Sequence, residues 1–401
     1  MDKEKSQKIY RSIMLIVITA LITAILTSIF VYQKMSSVKS LKGIANSGNS
    51  TGIEATLAKI RSMIEEEYIG DINDESMLEG AVKGYVSGLG DEYTEYYTPA
   101  EMSDQLDEAY GNYVGIGIYM LVDYKKGTVI VTKPMDNSPA KEVGIESGDF
   151  IIKVNGEDVT VDNVSNITDK IKGEAGTKVK LTIKRGEKEL EFEVERKKIV
   201  VSHINAKVLE NHIGYISITD FDGGAAVEFQ TKYKELEKQG INSLIIDIRN
   251  NGGGVVDEAI DILEMLCSKD STLLITANKA GKEVITKATK EQSIKVPVVV
   301  LTNGYSASAS EILAGALKDN NRAKLIGTKT YGKGVIQTLH RLSDGSGLKV
   351  TSEEYYTPNH TKINKVGIEP DEKVELPEDI EELTEKNDTQ LKKAIELLKN
   401  S

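Results

Sequence analysis

The spacing of hydrophobic residues changes several times along the chain, and each change predicts a different structure. Near the start, Ser12 to Gln33 forms 22 residues without a charge, rich in Ile, Leu, Val and Thr. A helix of that length spans about 33 Å, enough to cross a hydrocarbon layer of about 30 Å. We therefore expect residues 1–35 to comprise a short polar tip and a transmembrane anchor. A cleaved signal peptide is the alternative, but no A-x-A cleavage pattern follows the apolar stretch.

A Gly/Ser/Asn-rich linker at residues 36–52 precedes a region of helical spacing. Apolar residues recur there every three or four positions, which predicts amphipathic helices at 53–68 and 74–89. We assign residues 53–109 to an N-terminal helical region.

Residues 110–198 instead contain short β-rich runs separated by turn signals such as Asn155-Gly156 and Arg185-Gly186. This pattern predicts a compact, mostly β domain. The predicted strands are Tyr113 to Met120, Thr128 to Val131, Phe150 to Val154, Val179 to Ile183 and Leu190 to Val194.

In residues 199–370, apolar strands alternate with amphipathic helices, which indicates an α/β core with buried strands. Residues 371–401 form a charged tail, in which we expect a helix at 378–400 docked on the core or on another chain. The fold class is α/β (α+β) multidomain. The predicted core elements are strands Ile213 to Ile218, Ser243 to Ile248 and Val296 to Leu301, and helices 224–239, 255–267 and 308–319.

The charge balance excludes some functions and orients the predicted anchor. With 62 acidic against 50 basic residues, the net charge is -12, which disfavours a general nucleic-acid binder. Four cations precede the apolar stretch, so we expect a cytoplasmic N-terminus and an extracytoplasmic chain beyond the membrane. The single cysteine, Cys267, cannot form an internal disulfide, and the four histidines lack paired metal-binding spacing. No metal or organic cofactor is implied.

A serine-rich turn follows the apolar strand that ends at Leu301. Ser306, Ser308 and Ser310 lie among small residues at the start of a predicted helix. The positive end of such a helix stabilises negative charge, so this turn suits attack by a hydroxyl on a carbonyl. Spacing alone does not choose among the three serines, which could equally serve as helix caps and small packing residues.

A serine nucleophile needs a base, and the chain offers two candidates near this turn. His340 lies in an alternating strand pattern, where it could simply face solvent. Lys333 is flanked by Gly332 and Gly334, which allow a tight turn. Burial against apolar groups would lower the pKa of its ammonium and make it a usable base, so we favour Lys333 over His340.

A glycine cluster at 252–254 follows the strand that begins at Ser243. A phosphate-binding G-x-G-x-x-G motif is excluded because Asp257 occupies the third glycine position. We predict an oxyanion hole formed by the amides of Gly253 and Ala309; a bare strand-to-helix turn is the alternative.

The domain at 110–198 resembles a PDZ domain. The resemblance rests on Tyr113-Val114-Gly115-Ile116-Gly117-Ile118 and on the run from Ser138 to Gly156. It implies a loop whose amides bind a peptide's terminal carboxylate, beside a strand that pairs with the peptide. The implied peptide-binding residues are Val114, Gly115, Ile116, Gly117 and Ile118.

The serine-rich turn, the lysine loop and the glycine cluster together resemble the C-terminal processing peptidases, tail-specific serine proteases with a Ser–Lys dyad. The match extends over about residues 50–400. It implies Ser308 as nucleophile, Lys333 as base and Gln337 as the residue that orients the lysine. Gly252 departs from the proline that the family usually has before its paired glycines.

The resulting expectation is a membrane-anchored, single-pass serine endopeptidase that recognises the C-terminal end of a protein or peptide through its PDZ domain. Relatives form dimers through terminal helices, so we expect a homodimer paired through residues 53–89 and 378–400. Two alternatives are a non-catalytic PDZ peptide receptor and a Ser-His-Asp hydrolase, the latter using His340 with Asp319 or Asp344.

Overall fold

The computed structural model of the chain describes residues 50–123, 127–160, 163–377 and 383–399. The predicted anchor lies outside these residues. Of the helices in the described ranges, none is both long enough and apolar enough to cross a bilayer. The chain divides into two units, residues 1–78 and 79–401.

The described part of the first unit is helical, as the apolar spacing predicted. Helix α1 spans Ser50–Glu67, and α2, Asp74–Ser87, begins in this unit. One face of α1 exposes Ile53, Leu57 and Ile60, each with 45–47% of its surface accessible. This apolar stripe has the i, i+4, i+7 spacing of a packing face.

In the second unit, a short strand and a helix precede the predicted PDZ domain. Strand β1 spans Glu95–Tyr97 and α3 spans Pro99–Ala109. The β1 strand was not predicted, because residues 53–109 were expected to be helical throughout. Three residues are too few for a period-two pattern to be recognised.

The β domain contains two sheets. The larger has a row of five strands, with a short sixth strand, β6, paired to β5. The smaller is the two-stranded sheet β2–β9. The row has the order β3-β4-β5-β7-β8, and every pair within it is antiparallel. Its elements are β2 (Tyr113–Gly115), β3 (Ile118–Asp123), β4 (Thr128–Pro134), α4 (Pro139–Glu142), β5 (Phe150–Val154), β6 (Glu157–Asp158), α5 (Val164–Ile171), β7 (Lys178–Arg185), β8 (Lys188–Glu195) and β9 (Lys197–Ile199).

The predicted strand Tyr113 to Met120 is two strands, because Gly117 interrupts it. Gly117 has φ +74, and a Cβ at this position would lie 2.4 Å from the Cβ of Ser138. Only glycine allows both this backbone conformation and this close contact. The chain therefore turns between β2 and β3.

The core sheet has the order β10-β11-β12-β15-β16-β19, parallel except for the antiparallel pair β10–β11. Three helices connect its strands, and the mixed α/β multidomain fold predicted from the sequence is confirmed. The elements are β10 (Ile204–Leu209), β11 (Ile213–Ile218), α6 (Ala225–Lys238), β12 (Ser243–Asp247), α7 (Val256–Leu266), β13 (Thr272–Asn278), β14 (Glu283–Lys287), β15 (Val298–Thr302), α8 (Ala309–Asp319), β16 (Ala323–Gly327), β17 (Val335–Arg341), β18 (Gly347–Tyr356), β19 (Glu372–Lys373) and α9 (Thr389–Lys399).

The two faces of this sheet have different partners. Side chains such as Leu244 and Ile246 pack with helices α6, α7 and α8 in the larger core, which also contains Cys267. Alternate residues such as Ile245 point to the other face and pack with Leu391 of α9. The sheet is buried on both faces, as expected for parallel strands of nearly continuous apolar sequence.

The C-terminal helix differs from its prediction in extent. We predicted a helix at 378–400, whereas α9 begins at Thr389. Asp388 accepts a hydrogen bond from the amide of Leu391, as an N-terminal cap does. The helix packs on the sheet of its own chain, where Leu391 and Leu398 are at most 9% exposed.

The second unit contains a second sheet, most of whose strands come between strands of the core sheet along the chain. Its order is β1-β18-β13-β14, with β17 pairing on β18. Asp91, just before β1, accepts hydrogen bonds from Thr94 (2.5 Å) and from Thr351 of β18 (2.7 Å). The segment around Asp91 is thereby fixed to β18.

Candidate active site

Ser308 has an unusual backbone conformation at the end of the loop that joins β15 to α8. It has φ +57 and ψ -118 and immediately precedes the first helical residue, Ala309. A non-glycine residue at positive φ is uncommon and carries a conformational cost. Such strained positions cluster at active sites, where the surrounding structure must hold them in place.

The two neighbouring serines have structural roles instead. The Ser306 hydroxyl donates to Ile248 O (2.8 Å), and the Ser310 hydroxyl donates to Asn251 O (2.9 Å). Both residues are fully buried, whereas Ser308 is partly exposed. Of the three serines that spacing could not separate, Ser308 is therefore the one suited to meet a substrate.

Lys333 lies in the loop between β16 and β17 and is partly buried. Its ammonium lies over the ring of Tyr93, with Nζ 4.5 Å from the ring centroid. Burial and the positive charge of Lys349 lower the pKa of Lys333, while Glu92, Asp91 and Glu311 oppose this shift. A lowered pKa increases the fraction of lysine that is neutral and able to accept a proton.

The main chains of Ser308 and Lys333 share one carboxylate, that of Glu311. Its Oε2 accepts from Ser308 N (3.0 Å) and from Lys333 N (2.8 Å). Its Oε1 accepts from the Thr330 hydroxyl (2.6 Å) and from Gly332 N (2.7 Å). The fold thus brings together the serine turn and the lysine loop. Sequence analysis did not identify Glu311, although its position three residues after Ser308 fits a capping box.

A buried tyrosine joins the same two residues through their carbonyl groups. The Tyr355 hydroxyl contacts Lys333 O at 2.5 Å and Ser308 O at 3.0 Å. Tyr355 is 1% exposed, and burial raises the pKa of its hydroxyl, so it remains a proton donor. No sequence pattern singled out this residue.

Gln337, expected to orient the lysine, contacts a threonine in this structure. Its amide donates to Thr351 Oγ1 at 3.3 Å, and Thr351 donates in turn to Asp91. Gln337 lies on β17, four residues beyond Lys333. It is therefore on the strand that leaves the lysine loop.

Gly253 lies against the serine turn. A Cβ on Gly253 would be 2.7 Å from the Cβ of Ser308 and 3.1 Å from Ala309 N. The Gly253 amide donates to Asn251 Oδ1 at 2.8 Å, so it is engaged within the chain in this structure. Ala309 is the first residue of α8, where amide groups lack intrahelical acceptors. The two predicted oxyanion donors are adjacent, and one is held by Asn251.

The two aspartates of the alternative Ser-His-Asp site each bind a partner other than His340. Asp319 is the last residue of the 11-residue helix α8, about 16 Å along the helix from Ser308, and accepts from Asn359 N. Asp344 accepts from the amide and hydroxyl of Ser346. His340 is exposed on β17.

In the β domain, the predicted peptide-binding loop borders an edge strand. Gly115, Ile116 and Gly117 are buried, while Val114 and Ile118 are partly exposed. Strand β3, which begins at Ile118, is the first in its sheet, so one of its edges has no strand partner within the described residues. An edge of this kind can pair with an added peptide strand.

One group of side chains in the described residues has the composition of a metal site. Ligand atoms of His203, Asp220 and Asp222 lie within 4.8 Å of one another. His203 Nδ1 lies 2.5 Å from Asp220 Oδ1, a contact that is an ion pair when the imidazole is protonated. Sequence analysis did not identify this group because His203 precedes β10, whereas Asp220 and Asp222 lie in the loop after β11.

Three segments of the chain match known protein families. Residues 212–374 match peptidase family S41, residues 130–185 match the PDZ domain, and residues 16–100 match the N-terminal domain of the activating protease CtpB.

Two curated proteins are similar to most of this chain. The carboxy-terminal processing protease CtpA of Bacillus subtilis is 35% identical over 366 residues, covering 91% of this chain and 77% of that protein. A CtpA-like serine protease of Staphylococcus saprophyticus is 34% identical over 376 residues, covering 91% and 73%. Among solved structures, the photosystem II D1 C-terminal processing protease is 30% identical with a TM-score of 0.48, covering 80% of this chain and 88% of that one.

Proposed function

This chain belongs to the C-terminal processing serine proteases of peptidase family S41, and from this premise we propose that Ser308 and Lys333 form its catalytic dyad. It is a serine-type peptidase with a PDZ domain. The observation that carries the proposal is the Glu311 carboxylate, which binds the amides of both Ser308 and Lys333.

The proposed reaction begins with Ser308 Oγ attacking the scissile carbonyl while neutral Lys333 accepts the hydroxyl proton. The tetrahedral intermediate expels the amine, which takes the proton from Lys333, and an acyl-enzyme ester remains. Water then attacks the ester with Lys333 again as base, releasing the carboxylic acid and restoring Ser308. Gln337 orients the lysine amine during these transfers.

The oxyanion of each tetrahedral intermediate would be held by the amides of Ala309 and Gly253. The helix-start position of Ala309 supports its role, because the α8 dipole also favours negative charge there. Gly253 can contribute once its amide turns from Asn251 Oδ1, to which it donates in this structure.

Substrate selection is proposed to occur at the PDZ domain. The loop of Val114, Gly115, Ile116, Gly117 and Ile118 would bind a terminal carboxylate through backbone amides, and β3 would pair with the peptide chain. A protein or peptide with an accessible C-terminus is therefore the proposed substrate class.

We also propose that the apolar residues 12–33 anchor the protein in the cell membrane in a single pass, with the N-terminus cytoplasmic and the catalytic domain extracytoplasmic. Homodimerisation is proposed through residues 53–89, where Ile53, Leu57 and Ile60 are exposed on one face of α1. The C-terminal helix is the weaker candidate for pairing because its apolar stripe packs on its own chain.

The test is digestion of an unfolded protein by the purified full-length chain. Ser308→Ala and Lys333→Ala are each expected to reduce kcat/KM by at least about 100-fold, because the residual rate must come from binding and oxyanion stabilisation alone. His340→Gln, an exposed residue on β17, is the matched control and should keep the wild-type rate within about twofold.

The same experiment separates the alternatives. Loss of activity in His340→Gln with retention in Lys333→Ala would favour the Ser-His-Asp hydrolase. Peptide binding without turnover in the wild type would favour a receptor. Wild-type activity in Ser308→Ala or Lys333→Ala would reject the dyad.

A further inference from the structure

We propose that Glu311 and Tyr355 are positioning residues that together fix the nucleophile and the base in register. The inference rests on the proposed dyad of Ser308 and Lys333. Neither residue would touch the substrate; both act through the main chain of the dyad.

The first half of the arrangement is the Glu311 carboxylate. One of its oxygens bridges the amides of Ser308 and Lys333 at 3.0 and 2.8 Å. The other oxygen binds the Thr330 hydroxyl and the Gly332 amide. Three of the four donors therefore come from the lysine loop and one from the serine turn. The carboxylate is fully buried, so these bonds are shielded from competition with water.

The second half is the Tyr355 hydroxyl, which lies between the carbonyl oxygens of the same two residues at 3.0 and 2.5 Å. The amides of Ser308 and Lys333 thus share one acceptor, and their carbonyls share one donor. A hydroxyl has a single proton to donate. The shorter contact, 2.5 Å to Lys333 O, is therefore the stronger hydrogen bond, and the contact of 3.0 Å to Ser308 O is the weaker one.

Both catalytic residues need such support because neither lies inside a regular element. Ser308 is held at φ +57, a conformation that is strained for a non-glycine residue. Lys333 follows Gly332, which has φ +95, in a loop without helix or strand. A displacement of about 1 Å between reacting groups can reduce the rate about 100-fold.

Ordinary helix capping explains only part of this arrangement. A glutamate at the third helical position often binds the amide of the capping residue, as Glu311 does with Ser308. A cap does not require three further donors from a distant loop, nor a complete loss of solvent exposure. The cost of burying a carboxylate is offset here only because the lysine loop supplies those donors.

The two residues permit matched substitutions. In Glu311→Gln, one carboxylate oxygen is replaced by an NH2 group that would face two donors, so two of the four bonds are lost. Tyr355→Phe removes only the bridging hydroxyl. Glu264→Gln is the control for the first, because Glu264 is 7% exposed and binds the amides of Thr289 and Lys290 in the loop between β14 and β15.

Tyr356→Phe is the control for Tyr355→Phe. Tyr356 is the next residue on β18, and its hydroxyl donates to the carboxylate of Glu354 at 3.0 Å. Each control thus removes the same chemical group as its partner without touching the dyad.

The experiment measures kcat, KM, the melting temperature and the rate of labelling by a serine-reactive fluorophosphonate for the full-length variants. Ser308→Ala and Lys333→Ala are included. Tyr355→Phe and Glu311→Gln should reduce kcat about 10- to 100-fold with KM within about twofold, and should slow labelling in parallel. The two controls should keep wild-type kcat even where their melting temperatures fall.

A second readout is the pH profile. Glu311 carries a negative charge that favours the charged form of Lys333. Its replacement by glutamine should therefore move the acid limb of kcat/KM to lower pH, whereas Glu264→Gln should leave the limb in place.

The results distinguish this inference from the dyad on which it rests. If Tyr355→Phe and Glu311→Gln keep wild-type kcat while Ser308→Ala and Lys333→Ala are inactive, the positioning role is overturned and the dyad stands. Activity in Ser308→Ala or Lys333→Ala overturns both. If Glu311→Gln does not fold, Tyr355→Phe alone decides.

Discussion

At the scale of single residues, the proton affinity of Lys333 depends on a neighbouring cation. Burial and the charge of Lys349 are the two leading causes of its lowered pKa. Lys349 keeps its own charge because Glu95 lies 2.6 Å away, and its pKa is raised although burial opposes this. The second lysine therefore helps to keep the first one neutral.

Replacement of Lys349 by glutamine is expected to raise the pKa of Lys333, because the repelling charge is lost. The neutral form reacts, so activity falls below the pKa of Lys333, and the acid limb of kcat/KM should move to higher pH. Each pH unit of movement lowers the neutral fraction at pH 7 about tenfold. Profiles measured from pH 5 to 10 test this.

Lys349→Arg is the matched control, since arginine preserves the charge and the pairing with Glu95. It should leave the acid limb near its wild-type position. Identical profiles for Lys349→Gln and the wild type would mean that Lys349 does not act on the base.

The limits of prediction are clearest at the three serines. Spacing left Ser306, Ser308 and Ser310 equivalent, and resemblance to a family selected the middle one. The structure separates them through hydroxyl contacts to Ile248 O and Asn251 O, which join residues more than fifty positions apart. Contacts of that kind depend on the tertiary fold and leave no local pattern in the sequence.

The contrast between Glu311 and Tyr355 makes the same point. Glu311 had a readable signal, since a serine followed three residues later by glutamate is typical of a helix start. Tyr355 had none, because the sequence of β18 does not alternate in a way that separates it from its neighbours.

At the scale of secondary-structure elements, helix α9 is attached to the core by a buried charge cluster. Arg249 lies between Asp247 at 2.6 Å and Asp388 at 2.8 Å, with all three side chains at most 7% exposed. Arg249 also donates to Gln390 in the first turn of α9. The guanidinium therefore joins the end of β12 to the start of the helix.

Arg249→Met is expected to lower the free energy of unfolding by about 3–5 kcal/mol, because two buried carboxylates lose their counterion. Lys399→Met is the control on the same helix, since Lys399 pairs with Glu210 at an exposed position. That pair should contribute about 0–1 kcal/mol. Equal effects of the two substitutions in urea unfolding would contradict this account.

The long periodic elements were the predictable part of the fold. Helices α6, α7 and α8 begin and end within one residue of the expected ranges 224–239, 255–267 and 308–319. Short elements were not predictable, as with β1, because three residues carry little pattern. The start of α9 was misplaced because the charged stretch before Thr389 has helical composition but a cap at Asp388.

At the scale of the second unit, both ends of the PDZ domain meet one loop of the core. Gly111, at the start of the domain, lies against Gly223, and the carbonyl oxygen of His203, after the domain, accepts from Thr219 N at 2.9 Å. Phe221 in the same loop donates to Gly253 O at 2.9 Å. A single loop therefore connects the domain junction with the glycine cluster beside Ser308.

Gly223→Ala is expected to disturb this connection. The added Cβ would lie 2.6 Å from the carbonyl carbon of Tyr110, and overpacking of this kind costs about 1–3 kcal/mol. We expect a lower melting temperature together with reduced kcat, because the strain reaches Gly253 through Phe221. Gly84→Ala, on α2 with open space around it, is the control and should preserve kcat without lowering the melting temperature.

An unchanged kcat in a destabilised Gly223→Ala protein would show that the loop does not transmit strain to the glycine cluster. An unchanged melting temperature would mean that the backbone adjusts to the added methyl group without cost.

The burial of Cys267 has a practical consequence. It is the only cysteine in the chain, it is 1% exposed, and burial raises the pKa of its thiol to about 11. Thiol reagents attack the deprotonated form, so the native protein is nearly inert toward maleimides. One cysteine introduced on the PDZ domain and one on the core would accept a fluorophore pair while Cys267 stays in place, and would report the distance between the domains in the working enzyme.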